Sequence, residues 1–433
     1  MKIAVIGAGI SGLACAYRLV QAGADVTLFE AGAYFGGHSN TVDVTLEGQT
    51  FGVDTGFLVF NERTYPHLIA LFDELGVDTA DSDMSFSVKL PLAAEPGART
   101  LEWAGSNLDT VFAQRRNLLS PRFLRMVREI LRFNREATAL AQGGSAMPAQ
   151  SLGQFLDQGG YSAQFRGWYL LPMAACIWSC PAAQMLAFPV ATFIRFCHNH
   201  GLLQVNDRPQ WRTVRGGSRM YVDKLLARIP SRRLRTPVLA VSRTRLDCAR
   251  SVRVETAAGA ERFDQVVLAC HSDQALALLT DARDEERALL GAIAYQPNHA
   301  VLHTDTSCLP ANRRAWSAWN YQSTASATPD VCVHYLINKL QPLPCSTPVI
   351  VSLNPIDAPD PAKVLARFDY AHPVLDAAAV AAQQRLATLQ GVQNTWFAGA
   401  WTGYGFHEDG LKSGLAVASA LTARMALQGH AAA

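Results

Sequence analysis

Lys2-Ile3-Ala4-Val5-Ile6-Gly7-Ala8-Gly9-Ile10-Ser11-Gly12 is the stretch that decides the fold. A short apolar strand runs into three spaced glycines, and the amphipathic stretch Leu13 to Ala22, closed by Gly23, reads as a helix. A second apolar strand, Asp25 to Phe29, ends in Glu30, 18 residues after Gly12. Each position has a physical task. Gly7 makes the tight turn, Gly9 lets a pyrophosphate approach the backbone, and Gly12 lets the helix pack closely on the strand. Free N–H groups at the helix start, around Ile10 and Ser11, and the positive end of the helix dipole favour phosphate there. Glu30 is placed to accept hydrogen bonds from ribose hydroxyls. Strand, glycines, helix, strand and acid in this order predict an α/β domain of Rossmann type that holds a dinucleotide, NAD or FAD.

The rest of the chain sets bounds on that reading. With 433 residues and 49% apolar content, two intertwined domains are expected. A net charge of +2, with only 17% charged residues, gives no global reason to bind nucleic acid. Nine irregularly spaced cysteines form no disulfide framework and suit a reducing, cytoplasmic setting. Ala14-Cys15-Ala16 resembles a signal-peptide cleavage site, but cleavage there would remove the three glycines, so the start is read as part of the fold. No apolar run reaches the roughly 18 residues needed to span a bilayer.

Three further stretches choose between the dinucleotides. Gly36-Gly37-His38-Ser39 is a second glycine pair just past the acid, and Gly52-Val53-Asp54-Thr55-Gly56-Phe57 follows it. At the far end Trp396-Phe397-Ala398-Gly399-Ala400-Trp401 reads as strand and turn, and His407-Glu408-Asp409-Gly410-Leu411-Lys412-Ser413-Gly414 opens a helix running to about Leu427. In between, Trp211 to Ser218 precedes a helix from about Met220 to Ile229, a strand from Leu234 to Val241, and a hairpin of Val252 to Thr256 with Arg262 to Cys270. Together these stretches resemble the flavin amine oxidase superfamily over essentially the whole chain. The nearest branch is a bacterial group of FAD-binding oxidoreductases similar to the N-terminal half of plant cyclopropane fatty acid synthases.

The resemblance implies non-covalent FAD in a Rossmann-type domain of the amine oxidase and phytoene desaturase type, with an interleaved α+β substrate domain. FAD-binding segments would be residues 1–61, 206–289 and 391–433, with substrate segments at 62–205 and 290–390. It further implies FAD contacts at Gly36, Gly37, His38, Thr55, Gly56, Phe57, Val238, Gly399, Ala400, Gly410 and Leu411. Ala400 stands where the family usually has an acid. The family lysine that holds a water beside the flavin is replaced near Pro297 to Thr304 by Asn298 and His299, and one usual cage aromatic corresponds to Phe406. The branch's association with lipid methyltransferases implies fatty-acyl substrates and a lipid methyltransferase partner.

Candidate substrate residues are Trp178, His299, Trp316, Trp319, Tyr335, Asn338, Gln341 and Phe406. Hydride abstraction by a flavin needs no protein base, so no catalytic side chain is singled out. Cys176 and Cys180 near Cys197, His198 and His200 do not match metal-ligand spacing, and no metal is expected. No second glycine fingerprint exists, so reduced flavin would pass electrons to oxygen, a quinone or a protein. From Arg115 to Glu136 a helical projection puts Arg122, Arg125, Arg128, Arg132 and Arg135 on one side, and Phe123, Met126, Val127, Ile130 and Leu131 on the other. That pattern fits an ordinary surface helix or one held peripherally at the inner face of an anionic membrane. The reading is thus an FAD-dependent oxidoreductase of an apolar, fatty-acyl lipid substrate. An amine oxidase and a non-catalytic flavin-binding accessory protein are the alternatives.

Overall fold

The computed structural model describes residues 1–92, 99–143, 150–178, 182–204, 208–246, 249–324 and 332–431. Five short strands form a parallel sheet: β1 (Lys2–Ile6), β2 (Asp25–Phe29), β3 (Ser231–Arg233), β4 (Gln265–Leu268) and β5 (Thr395–Phe397). Their spatial order is β3-β2-β1-β4-β5, so strand order reverses on either side of β1. A crevice above the strand ends at such a reversal is where α/β sheets bind ligands. The central strands β1, β2 and β4 are almost wholly buried, as expected for a parallel sheet covered on both faces.

Helix α1 (Ile10–Gln21) begins three residues earlier than its apolar periodicity suggested, because Gly9 is extended (φ −70°, ψ 179°) and the chain turns helical at once. It packs along the C-terminal helix His407–Ala431. Two expectations for the middle of the chain are corrected. The strand expected over Leu234 to Val241 begins only at Val238 and runs to Leu246, since Leu234 to Pro237 form a turn after β3. The hairpin is Ala249–Thr256 with Gly259–Phe263, while the following residues turn away and join the parallel sheet as β4.

A seven-stranded sheet forms the second layer. Its order is Val364–Pro373, Tyr295–His303, Ile350–Leu353, Cys332–Leu336, Trp319–Gln322, Phe86–Pro91 and Thr100–Ala104. Helices α2 (Pro121–Gln142), α3 (Leu171–Trp178) and α4 (Val190–Asn199) stand beside it. The segment Arg115 to Glu136 is not one helix: Arg115–Leu119 is a 3-10 turn, and Ser120 caps α2 by accepting from Phe123 N, with Pro121 in its first turn. The apolar stripe is also corrected. Phe123 and Met126 are buried as expected, but Leu131 is 54% exposed. Glu129 is buried in its place, held by Arg125 and Ser162. Among the described residues, no helix is long and apolar enough to cross a membrane.

Candidate functional site

The two glycine turns are stitched together. Gly7, at φ 101°, turns the chain out of β1 and donates its N–H to Phe29 O at 2.9 Å. Gly36 N donates to Ala8 O at 2.9 Å, and a Cβ on Gly37 would lie 3.2 Å from Gly9 Cα. Nothing lies within 4 Å of where a Gly9 Cβ would stand, so the open space at this cradle is on the cavity side of Gly9. Gly12 acts as expected at the packing level. A Cβ there would collide with the Gly7 carbonyl oxygen. Glu30 sits at the cavity edge, where its carboxylate accepts from Ala8 N at 2.9 Å and Gly32 N at 2.7 Å.

From this cradle a cavity of about 730 Å³ runs between the two sheets. Its middle is walled by Gly36, Gly37, His38, Thr55, Gly56 and Phe57, with Gly399 and Ala400 opposite. Ser413 Oγ accepts from Gly399 N at 2.9 Å and so fixes the turn after β5. Asp54, almost wholly buried, ties this wall to the segment ahead of β3: it accepts from Ser218 N and Oγ, Thr41 Oγ1 and Gln341 Nε2. Burial pushes its carboxyl up to about 6, against the pull of those donors.

Five imidazoles border the space, those of His38, His200, His271, His372 and His407. His38 stacks on Tyr370 with ring centres 4.8 Å apart and lies 5.1 Å from His372. Thr55 Oγ1 and Tyr370 OH are 2.7 Å apart. His407 stacks on Phe57 at 3.8 Å, and its Nε2 lies 2.9 Å from Tyr221 OH, which also bonds Ser39. His271 stacks on Tyr295 at 4.3 Å. Burial pushes His38 well below the usual imidazole range, His372 down to about 4 and His407 down to about 3. All three are therefore neutral at physiological pH.

The far end is aromatic. Phe196 packs on Trp178 at 4.6 Å and on Phe406 at 4.9 Å, while Trp319 meets Tyr335 edge-on at 4.9 Å. These walls bring together four of the expected substrate residues: Trp178, Trp319, Tyr335 and Phe406. Four expected candidates lie elsewhere. His299 points outward and pairs with Asp369 at 2.9 Å, because alternation on its strand turns Asn298 inward to donate to His372 Nδ1. Trp316 follows a 3-10 turn and spends its indole N–H on Pro310 O at 2.8 Å. Asn338 closes a loop by bonding Thr347 O and Val349 N. Gln341 is buried against Asp54, away from the cavity wall.

Of the expected cofactor residues, Gly7, Gly9, Ile10, Ser11, Glu30 and Val238 line the cradle end. Gly410 and Leu411 do not reach the wall. A Cβ on Gly410 would lie 3.0 Å from Ser11 Oγ, and Leu411 is buried in the core shared with α1. They seat the C-terminal helix so that its first residue, His407, reaches the cavity. Sequence reasoning missed His271, Tyr295, Tyr370 and His372. The last two lie on Val364–Pro373, paired with Tyr295–His303, and only that register brings them inward. Among the described residues no group of three or more His, Cys, Asp or Glu is gathered to hold a metal; Cys180 lies outside them.

Residues 10–339 match the model of the flavin-containing amine oxidoreductases. This chain belongs to that family. The fold is shared with cyclohexylamine oxidase from Brevibacterium oxydans IH-35A, at 17% identity, TM-score 0.68, and 98% and 99% of the two chains covered. It is shared with a protein described as a protoporphyrinogen oxidase from Exiguobacterium sp. 255-15, at 17% identity, TM-score 0.66, and the same coverage. A CLA-producing fatty acid isomerase from P. acnes also matches, at 16% identity, TM-score 0.64, with 96% and 97% covered. The protein is an FAD-dependent oxidoreductase.

The residues present fit FAD on the structure's own terms. The cradle at Gly9 is open on its cavity side, and beside it His38 Nε2 is buried without a hydrogen-bond partner among the described residues. Gly7, Gly9, Ile10 and Ser11 would hold the pyrophosphate, Glu30 the ribose, Val238 the adenine, and His38, Thr55, Gly56, Phe57 and Gly399 the flavin half. When bound, FAD supplies a two-electron acceptor. His407, bonded to Tyr221, stacks on Phe57 and fixes its ring in place.

Proposed function

We propose that this enzyme oxidises or desaturates a neutral, apolar, fatty-acyl substrate. One observation carries the reading: among the described residues, Glu30, at the cradle end, is the only Asp, Glu, Lys or Arg side chain lining the cavity. An ammonium ion entering the aromatic end would lose its hydration and meet no carboxylate, a costly exchange in an apolar enclosure. An acyl chain meets what it needs there. Trp178, Phe196, Phe406, Tyr335 and Leu353 give it apolar contact. The indole N–H groups of Trp178 and Trp319, buried and without a partner among the described residues, are donors suited to a carbonyl or carboxylate oxygen.

In the desaturation a substrate carbon would lose a hydride to the flavin and its neighbour a proton, taken up by one of the neutral cavity imidazoles and passed to solvent, leaving a C=C bond. The two electrons then pass to oxygen, a quinone or a protein acceptor. The second reading, oxidation of an amine, is favoured by the family and by the paired aromatics Tyr404 and Phe406 at the cavity wall. Anaerobic titration of the FAD-loaded protein separates the two. Long-chain acyl phospholipid should bleach the flavin absorbance while cyclohexylamine and putrescine leave it unchanged. Bleaching by an amine and not by lipid overturns the proposal.

A further inference from the structure

The outward surface of α2 and the 3-10 turn before it carries two features that ordinary solvated helices do not combine. Leucines stand out into solvent in one short segment: Leu118 is 48% exposed, Leu119 88%, Leu124 41% and Leu131 54%. Leu124 and Leu131, seven residues apart, share one line of the helix with Arg128 and Arg135. Arginines surround them. Arg122, Arg128 and Arg135 have no carboxylate partner among the described residues, while Arg125 and Arg132 are paired with Glu129 and Glu136 on their own helix at 3.2 and 3.6 Å. Arg115, paired with Asp109, and Arg116 precede the exposed leucines of the turn.

A scattered exposed leucine needs no explanation, but a run of them fenced by unneutralised guanidinium groups has one natural complement. The surface must offer anions to the arginines and, just beneath them, hydrocarbon to the leucines. A bilayer containing anionic lipid offers both at that depth, with headgroups above the acyl boundary. An acidic protein would meet the charge and leave the leucines against a polar surface. The face also has a place in the architecture. Phe133 on the inner side of α2 meets Phe193 of α4 at 6.4 Å, and Phe193 meets Trp178, a cavity wall residue, at 5.8 Å.

We infer that Leu118, Leu119, Leu124 and Leu131, with Arg122, Arg128 and Arg135, form a docking surface for anionic lipid bilayers. The turn at Leu118 and Leu119 enters the acyl boundary, and the arginines of α2 lie along the headgroups. The inference stands on the surface alone and does not depend on the substrate being a lipid.

The test is co-sedimentation of the FAD-loaded full chain with large unilamellar vesicles. Vesicles of phosphatidylcholine with phosphatidylglycerol should bind it at least tenfold more tightly than phosphatidylcholine alone, and added salt should weaken the binding. An arginine near an anionic surface contributes roughly fivefold, so the Arg128→Glu, Arg135→Glu double variant should lose about 25-fold or more. Leu118→Ser with Leu119→Ser should lose roughly tenfold while keeping the salt dependence. An unchanged flavin spectrum in each variant shows that the fold is intact. Vesicle binding that survives both double variants overturns the inference, as does retention on polyglutamate with none on anionic vesicles. Flavin bleaching is read separately, so a substrate that proves to be an amine leaves the vesicle result standing.

Discussion

Replacing Gly9 by Ala separates the cofactor cradle from the fold that carries it. Gly9 has φ −70° and ψ 179°, a conformation alanine adopts without strain, and no protein atom lies within 4 Å of the added Cβ. Without FAD, the variant should therefore match the parent in stability to within about 0.5 kcal/mol. With FAD the outcome differs, because the methyl projects into the space where the pyrophosphate passes. Forcing one extra carbon into a filled site costs about 1–3 kcal/mol, so Kd should rise roughly 5- to 150-fold. At a cofactor concentration 100 times the parent Kd, the parent gains about 2.7 kcal/mol from binding, and the variant should forfeit about 0.9 to 2.4 kcal/mol of that gain. Gly12→Ala is the control of opposite kind. Its Cβ collides with the Gly7 carbonyl oxygen, so it should lower Tm with and without FAD alike. The assays are thermal unfolding at several FAD concentrations and fluorescence titration of the apoprotein. A Gly9→Ala protein that binds FAD as tightly as the parent, or that is already destabilised without it, refutes the assignment of this turn.

Glu30→Ala should weaken FAD binding by about 1.5–3 kcal/mol, the worth of a hydrogen bond to a charged acceptor, and an unchanged Kd would leave Glu30 as a brace for Ala8 and Gly32 alone. Acid precipitation should release all the yellow colour from the pellet, because FAD is held non-covalently; colour that remains with the denatured chain would contradict this. Acidification from pH 7 to pH 5 should destabilise the fold. Burial holds His200 and His372 down to about 4 and His407 down to about 3, so between there and 6.5 the unfolded chain binds more protons. The stability these histidines contribute is present in full above 6.5 and is lost as pH falls, by about 2 kcal/mol per histidine at pH 5. Asp54 and Asp409, both pushed up to about 6 by burial, act in the opposite sense over 3.8 to 6 and offset part of it. Urea unfolding of His372→Asn should show a loss between the two pH values smaller by about 2 kcal/mol than the parent's, and an equal loss would mean that His372 titrates normally in the fold.

How much of this was legible in the sequence depended on whether a residue's task is local. Gly7, Gly9, Gly12 and Glu30 act through the turn, helix and strand that contain them, so their spacing along the chain is already their geometry, and β1 and β2 lie where the apolar runs put them. The aromatic end was harder. Trp178, Trp319, Tyr335 and Phe406 reach the cavity, yet nothing local distinguishes them from Trp316, which differs only in following a 3-10 turn that aims its ring at Arg313. His299 was misplaced for a sharper reason. A strand was expected near Pro297 to Thr304 and runs over Tyr295–His303, but a one-residue error in phase exchanges the inner face for the outer, and the inner residue, Asn298, makes its contribution through His372 on the neighbouring strand. The pairing of Asn298 with Tyr370 joins residues 72 apart in sequence and is a property of the sheet, which no window along the chain contains. The wall around His38, made of Tyr370 and His372 from one side and stabilised by Thr55 and Asn40 from the other, is therefore the part of the site that only the register of two strands could reveal.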